Sequence, residues 1–234
     1  MEIINRTKEE MSLVDDLAEK ALSRRRFFRY AGLFSASAVA VGSLASCRKD
    51  NNNNGVDLGS GDVGVLNYAY ALEQLEAAFY TQVIASQFSG MTSAEVAVFT
   101  DIRDHEIAHR EFFKTALSTN AIKSLEVNFS AINFASRDSV MATAKAFEDL
   151  GVSAYNGAGR LLSDVNNLLI AGKIVSVEAR HAALIRELIA VNSFANAEVV
   201  NPSNGLDVSR TPSEVLAIAG AFIKTQINAS NLPS

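Results

Sequence analysis

The chain has 234 residues, a formal net charge of −5 and 48% apolar residues, a composition typical of an ordinary globular protein. The acidic charge excludes the basic surface on which nucleic-acid binding depends. The single cysteine excludes a disulfide framework, or a metal site built from cysteines, within this chain. Three prolines, no tryptophan and long runs rich in Ala, Leu, Glu and Lys favour an all-α fold.

Residues 1–47 have the pattern of an export leader rather than of a folded domain. A basic cluster at Arg24-Arg25-Arg26 precedes an uncharged stretch over residues 30–46, and small residues follow at Leu44-Ala45-Ser46-Cys47. Basic, then apolar, then small residues is the order found in a secretory signal. Two other interpretations stay open. In the first, the apolar stretch is not cleaved and remains as a membrane anchor, although it is short for a membrane-spanning helix. In the second, it is an ordinary packed helix.

The paired arginines are followed by two phenylalanines and resemble a twin-arginine export signal, and Leu-Ala-Ser-Cys resembles a lipobox. The resemblance implies cleavage before Cys47 and acylation of its thiol, which would anchor the protein to a membrane of the cell envelope as a periplasmic lipoprotein. Residues 48–62 are rich in Asn, Gly and Asp, and they are predicted to form a flexible tether between this anchor and the fold.

Apolar residues at helical spacing predict four long helices, over residues 63–86, 92–117, 136–158 and 165–191. The second helix opens on the capping box Thr92-Ser93-Ala94-Glu95. Helices two and three are separated by irregular residues, 120–135, in which an alternating segment at 125–129 predicts a short strand. A connection of this length can carry the chain from one end of a bundle to the other.

Residues 63–192 are therefore predicted to form a four-helix bundle with a long crossover between helices two and three. Residues 193–234 are predicted to form a loop and a short fifth helix that packs on the bundle. Thr211-Pro212-Ser213-Glu214 marks the start of that helix, because it combines a cap, a proline in the first turn and a glutamate three residues after the cap.

Two of the predicted helices carry a Glu-x-x-His motif. Helix two contains Glu106-Ile107-Ala108-His109, and helix four contains Glu178-Ala179-Arg180-His181. Residues three apart share a helix face, so each pair can present a carboxylate and an imidazole to the same point. A single such pair is usually a surface feature, but two of the three histidines in the chain match the motif, each on its own helix.

The other two helices each supply a glutamate in a shared pattern. Glu73 in helix one and Glu148 in helix three are each followed by a polar residue and a leucine, with Tyr80 and Tyr155 seven residues after the respective glutamate. The chain therefore consists of two related halves, each a Glu…Tyr helix followed by a Glu-x-x-His helix. Glu76 competes with Glu73 for the ligand position, but the alignment of the halves pairs Glu76 with Gly151 and so favours Glu73.

This order of residues resembles the ferritin-like superfamily, and most closely its rubrerythrins and exported bacterial members. The resemblance implies a di-metal carboxylate bundle in which Glu106 and Glu178 bridge the ions, while Glu73 and Glu148 are terminal. Tyr80 and Tyr155 would lie near the site, outside the ligands. The implied metal ligands are Glu73, Glu106, His109, Glu148, Glu178 and His181.

The implied cofactor is a pair of iron ions, with manganese as the alternative, because mixed carboxylate and imidazole ligands suit either metal. The leading hypothesis is an oxidoreductase of ferroxidase or peroxidase type that reacts with dioxygen or hydrogen peroxide and draws electrons from an unknown donor. A manganese catalase-like enzyme and a non-catalytic metal-binding or structural lipoprotein are the alternatives. A second copy of the chain, forming a homodimer, is a further candidate partner.

His105 creates a competing interpretation. His105-Glu106-Ile107-Ala108-His109 fits the H-E-x-x-H pattern of zinc proteases, in which both histidines bind zinc and the glutamate is the base. A protease needs a third ligand, for which Glu126 is available, but that role would leave Glu148 and the second Glu-x-x-His motif unexplained. The bundle interpretation instead predicts that His105 points away from the metal-binding face.

Overall fold

The computed structural model describes residues 55–233, so the predicted leader and Cys47 lie outside the described residues. The prediction of an all-α fold is confirmed. The described residues form five α-helices: α1 (Gly61–Ala85), α2 (Ser93–Leu117), α3 (Arg137–Ala158), α4 (Val165–Ile189) and α5 (Pro212–Ala219). Short 3-10 turns follow α2, α3 and α5, at Ser118–Asn120, Gly159–Leu161 and Gly220–Phe222.

The bundle is made of two helical hairpins, in which α1 packs mainly on α2 and α3 mainly on α4. Both capping boxes predicted from sequence are present. The Thr92 side chain accepts the backbone N–H of Glu95, and the Thr211 side chain accepts that of Glu214. The two hairpins are joined at one end by Asp62 of α1, whose carboxylate accepts the backbone N–H groups of Ser163 and Asp164 just before α4.

The crossover between α2 and α3 is held against α1 by two buried amide side chains. Asn67 donates to the carbonyl oxygens of Leu58 and Asn120 and accepts the backbone N–H of Ile122, at 2.9 to 3.0 Å. Gln74 accepts the backbone N–H of Leu125 at 2.8 Å. A loop over an apolar bundle would otherwise leave backbone groups buried without partners, so these amides fix its course.

The structure corrects two predictions about the connecting segments. The predicted strand at 125–129 is a single antiparallel bridge between Val127 and Ile223. The second half of the predicted tether is packed rather than flexible, since strand β1 (Val56–Asp57) pairs in parallel with strand β2 (Ile227–Asn228) and Leu58 is fully buried. The partner strand lies about 170 residues further along the chain, so no local pattern could predict the pairing.

The core is aromatic beside the C-terminal part of α1. The Phe79 ring contacts the rings of Tyr80, Phe129, Phe134 and Phe147, with centroids 5.0 to 6.1 Å apart. Helix α5 lies against this bundle through its buried residues Val215 and Ala219, as predicted for a short C-terminal helix. Within residues 55–233, no helix is both long enough and apolar enough to cross a membrane.

Candidate metal centre

Each of the four long helices directs one glutamate into the middle of the bundle. Glu73, Glu106, Glu148 and Glu178 come from α1, α2, α3 and α4 in turn, and each is 0% exposed. His109 and His181 lie one helical turn after the glutamates of α2 and α4 and are also buried. All six side chains singled out from the sequence are thus brought to one place.

The six side chains form two overlapping groups. In each group, one oxygen or nitrogen atom from every member lies within 4.8 Å of the corresponding atoms of the others. The first group contains Glu73 and His109, the second contains Glu148 and His181, and Glu106 and Glu178 belong to both. Each group could therefore hold a metal ion, with Glu106 and Glu178 common to both groups and one imidazole in each.

The contacts around the two imidazoles are nearly symmetric. His109 Nδ1 lies 2.9 Å from Glu178 Oε1 and 3.4 Å from Glu73 Oε2. His181 Nδ1 lies 2.9 Å from Glu106 Oε1 and 3.5 Å from Glu148 Oε2. Each histidine therefore turns the same ring nitrogen towards the glutamate of the opposite Glu-x-x-His motif and towards one terminal glutamate.

The donor atoms of these six side chains do not satisfy one another by hydrogen bonds. Eight polar atoms of these six side chains are buried and lack a well-formed hydrogen bond to any residue of the described chain. Leaving a buried polar atom without a partner costs about 1 to 3 kcal/mol, and such atoms call for an explanation in a native protein. Buried oxygen and imidazole donors that converge in this way could hold a metal ion.

Each terminal glutamate is held by a tyrosine from the other half of the chain. The Tyr80 hydroxyl donates to Glu148 Oε1, and the Tyr155 hydroxyl donates to Glu73 Oε1. Spacing along the sequence predicts both tyrosines near the site but pairs each with the glutamate on its own helix. Each tyrosine reaches the glutamate of the other half because α1 packs against α3. The spacing of residues along one helix does not reveal which helix lies beside it.

Glu76 is a buried acid that the sequence analysis set aside. Its side chain is 4% exposed but belongs to neither group of converging donors. It faces Gly151, since a Cβ atom at that glycine would lie 3.0 Å from Glu76 Oε1. The alignment of the two halves already indicated this difference, because it pairs Glu76 with Gly151. A glycine at that position leaves room for the carboxyl group of Glu76 between the two helices.

His105 lies outside both groups, which agrees with the expectation that it points away from the metal-binding face. Its Nδ1 atom instead lies 2.9 Å from Nε2 of His181. Glu126, the proposed third ligand of a zinc protease, lies on the crossover, is 67% exposed and forms an ion pair with Lys224. The structure therefore does not assemble the two histidines and the third ligand that a protease requires.

Crowded carboxyl groups raise each other's proton affinity in this centre. Burial, reinforced by the charge on Glu178, raises the pKa of Glu106 to about 8. Burial and the surrounding site glutamates hold the pKa of Glu76 well above its usual value. Burial alone would lower the pKa of His181, but its close contacts with Glu106, Glu148 and Glu178 outweigh it and raise that pKa to about 12.

Comparison with known proteins supplies a family for this bundle. Residues 61–191 match the family model described as a ferritin-like domain. The match covers more than half of the 234 residues and runs from the first residue of α1 to just beyond the end of α4, so it includes all six converging side chains. A search of the curated proteins found no match to the chain.

Proposed function

We propose that this chain, which belongs to the ferritin-like domain family, holds two iron ions in its bundle and oxidises Fe(II) with dioxygen or hydrogen peroxide at the cell envelope. The observation that carries the proposal is the pair of overlapping donor groups that share Glu106 and Glu178. No single-ion site would need four fully buried carboxylates drawn from four helices.

Charge balance supports two divalent ions. The four buried glutamates bring four negative charges into a region with no solvent, which is unfavourable unless the charges are neutralised. Two divalent cations supply four positive charges, so the loaded centre is neutral, with both imidazoles uncharged. A single ion would leave the remaining negative charge to be neutralised by protons on the imidazoles or on the carboxyl groups.

When bound, two Fe(II) ions would supply two electrons. These electrons, with two protons, convert one molecule of hydrogen peroxide into two molecules of water. The protein's own residues orient and shield this reaction. Tyr80 and Tyr155 fix the terminal glutamates by hydrogen bonds, which orients the oxygen atoms that face the centre. Glu76 holds a proton in the bundle beside the site, because burial and its neighbours keep it in the acid form.

The test of this proposal is anaerobic titration of the full chain with Fe(II). We expect uptake to saturate near two ions per chain, and added peroxide to be consumed at one molecule per two Fe(II). Uptake of tens of iron ions per chain by soluble protein would indicate mineral storage instead. Saturation at one ion, or at none, would contradict the dinuclear centre.

Two variants control this titration. Glu178→Ala removes a carboxylate common to both donor groups, so it should abolish binding of both ions. Glu126→Ala changes an exposed residue of the crossover, so it should leave the titration unchanged. If zinc binding depended on Glu126 and His105 but not on His181, the protease interpretation would replace this one.

The envelope location is proposed from the leader alone. Changing Arg24 and Arg25 to lysine should leave unprocessed precursor in the cytoplasm, because the twin-arginine route requires both arginines. Changing Cys47 to alanine should prevent acylation and release the protein from membranes. Normal processing of the lysine variant, or membrane association of the alanine variant, would contradict the respective part of this proposal.

A further inference from the structure

The contact made by the outer ring nitrogen of His181, the one that faces away from the centre, is the feature of interest here. His181 turns Nδ1 towards Glu106, and its other ring nitrogen, Nε2, lies 2.9 Å from Nδ1 of His105. His105 itself is exposed on α2, whereas His181 is buried. A buried side chain of the centre is thus in contact with a ring at the protein surface.

The geometry of this pair is that of a hydrogen bond in the ring plane. The two rings are nearly parallel, with an angle of 9° between their planes and centroids 5.2 Å apart. Atoms of rings stacked face to face stay about 3.5 Å or more apart, so stacking does not allow a nitrogen–nitrogen contact of 2.9 Å. The 2.9 Å contact between Nε2 and Nδ1 therefore aligns one ring edge with the other.

Chemistry fixes the direction of this hydrogen bond when a metal ion is bound. The Nδ1 atom of His181 must then offer its lone pair to the ion, so its proton is on Nε2. That N–H group donates to Nδ1 of His105, which must accept. The exposed histidine thus selects the tautomer of the buried one and fixes the angle of its ring.

The other half of the chain has no equivalent acceptor at the matching position. The residue immediately before the glutamate of each Glu-x-x-His motif is His105 in α2 but Val177 in α4. The apolar Val177 side chain cannot accept a hydrogen bond. The centre is thus symmetric in its inner donors and asymmetric in this outer position.

We propose that His105 is a positioning residue that orients His181 and makes the ion site containing Glu148 and His181 tighter than the site containing Glu73 and His109. This inference rests on the proposed metal centre. It also accounts for the H-E-x-x-H pattern, because the first histidine of that pattern supports the ligand of the other half rather than sharing an ion with His109. Outer partners of metal-bound histidines typically contribute about 10- to 100-fold in affinity.

The test is titration of the metal-free full chain with Co(II), which reports its binding by visible absorption. His105→Phe keeps a ring but removes the acceptor, and His105→Asn restores an acceptor atom near the position of Nδ1. We expect the phenylalanine variant to bind one equivalent normally and the second about 10- to 100-fold more weakly. The asparagine variant and the control Val177→Ala should bind both equivalents as the unchanged protein does.

A purely structural role for His105 would give a different result. Because this side chain is exposed, the metal-free phenylalanine variant should melt at the same temperature as the unchanged protein. Normal binding of both equivalents by the phenylalanine variant would overturn the inference, as would equally weak binding by the asparagine variant. Failure of the unchanged protein to bind two equivalents would instead overturn the proposed metal centre, and the inference with it.

Discussion

At the scale of single residues, the terminal glutamates depend on hydroxyl groups donated across the bundle. Tyr80 and Tyr155 are fully buried or nearly so, and each donates to a glutamate of the other half. Removing such a donor leaves a buried carboxylate oxygen without a partner. These two hydrogen bonds also connect α1 to α3, which otherwise contact each other less than the two helices of either hairpin.

We predict that Tyr80→Phe and Tyr155→Phe each lower the free energy of unfolding of the metal-free protein by about 1 to 3 kcal/mol. The matched control is Tyr68→Phe, since the Tyr68 hydroxyl is buried with no partner among the described residues and its removal leaves nothing unsatisfied. Denaturant unfolding of the three variants measures the difference. A loss for Tyr68→Phe as large as for the other two would contradict the assigned hydrogen bonds.

Glu76 gives a prediction about pH. Its pKa in the folded protein is raised well above 4.5, so its contribution to stability is fully present below pH 4.5 and declines as the pH rises towards the folded value. Glu76→Gln removes this decline, because glutamine resembles the protonated acid. The metal-free variant should therefore match the unchanged protein near pH 4.5 and exceed it at higher pH, by up to about 1.4 kcal/mol more for each pH unit until the folded pKa is reached.

Melting curves of the metal-free proteins from about pH 5 to about pH 8 check this prediction. Glu126→Gln is the control, because Glu126 is exposed and its replacement should shift the curves little at any pH. A stability difference at Glu76 that stays constant with pH would show that the pKa of this carboxyl group is the same in the folded and the unfolded protein, and would contradict the prediction.

The residue scale also shows what the sequence could predict about the site. The six converging side chains could be picked out because each helix carries its own local signature, a Glu-x-x-His motif or a glutamate followed by a tyrosine. The pairing of Tyr80 with Glu148 and of His105 with His181 could not be picked out, because both contacts join residues from different halves. Local spacing predicts the face of a helix but not its neighbour.

At the scale of elements, the C-terminal segment is held against α3 by a close backbone approach. The Arg210 backbone N–H donates to the Ser153 carbonyl oxygen at 3.0 Å, and the Arg210 guanidinium donates to the Ser153 hydroxyl at 2.7 Å. Gly157 lies one turn further along the same helix, where an added Cβ atom would lie only 1.7 Å from the Arg210 carbonyl oxygen. This glycine is required because no side chain fits between the helix and the segment.

Gly157→Ala should therefore destabilise the protein by at least about 1 to 3 kcal/mol, because a rigid backbone must move away. Gly172→Ala is the matched control in α4, where an added Cβ atom meets nothing within 4 Å. Alanine favours a helix over glycine by about 1 kcal/mol, so the control should be neutral or slightly stabilising. Thermal unfolding measures both variants, and similar effects would contradict the close approach.

The helices themselves were the most predictable elements. The two capping boxes gave the starts of α2 and α5, and apolar spacing gave α1 to α4 to within two residues of most ends. The parallel pair formed by Val56–Asp57 and Ile227–Asn228 could not be predicted, because each strand is two residues long and its partner is far away in the chain. Strands this short carry no periodicity of their own.

At the scale of the whole molecule, the bundle is two similar halves that differ where they meet. The inner donors are repeated, with one Glu…Tyr helix and one Glu-x-x-His helix in each half. The differences are Glu76 facing Gly151, and His105 standing where the other half has Val177. The repeated donor set fits the proposed pair of ions, and the unrepeated residues give the two sides of the centre different surroundings.

Metal binding at the proposed centre would displace protons from its ligands. In the metal-free protein, burial opposes a proton on His109 and His181, but the surrounding carboxylates outweigh it and raise both imidazole pKa values far above 6.5. Both imidazoles are therefore protonated near neutral pH, as is much of Glu106, whose pKa is about 8. Each of these groups must lose its proton before it can bind an ion.

We therefore predict that loading the centre releases at least two protons and that metal affinity rises with pH. With two protons released from the imidazoles, the product of the two binding constants should increase about 100-fold for each pH unit above the pKa of Glu106, which is about 8. Below the pKa of Glu106, a third proton makes the dependence steeper. The sign follows because protons compete with the ions for the same nitrogen and oxygen atoms.

Proton release can be counted by titrating Mn(II) into weakly buffered, metal-free protein with a pH indicator present. The Glu126→Ala variant should release the same number of protons as the unchanged protein, because Glu126 is exposed and belongs to neither donor group. Glu178→Ala should release few, since it lacks a carboxylate shared by both donor groups and binds little metal. Full occupancy of two ions without proton release would mean that the imidazoles are already neutral, and the charge arrangement described for the metal-free centre would be wrong.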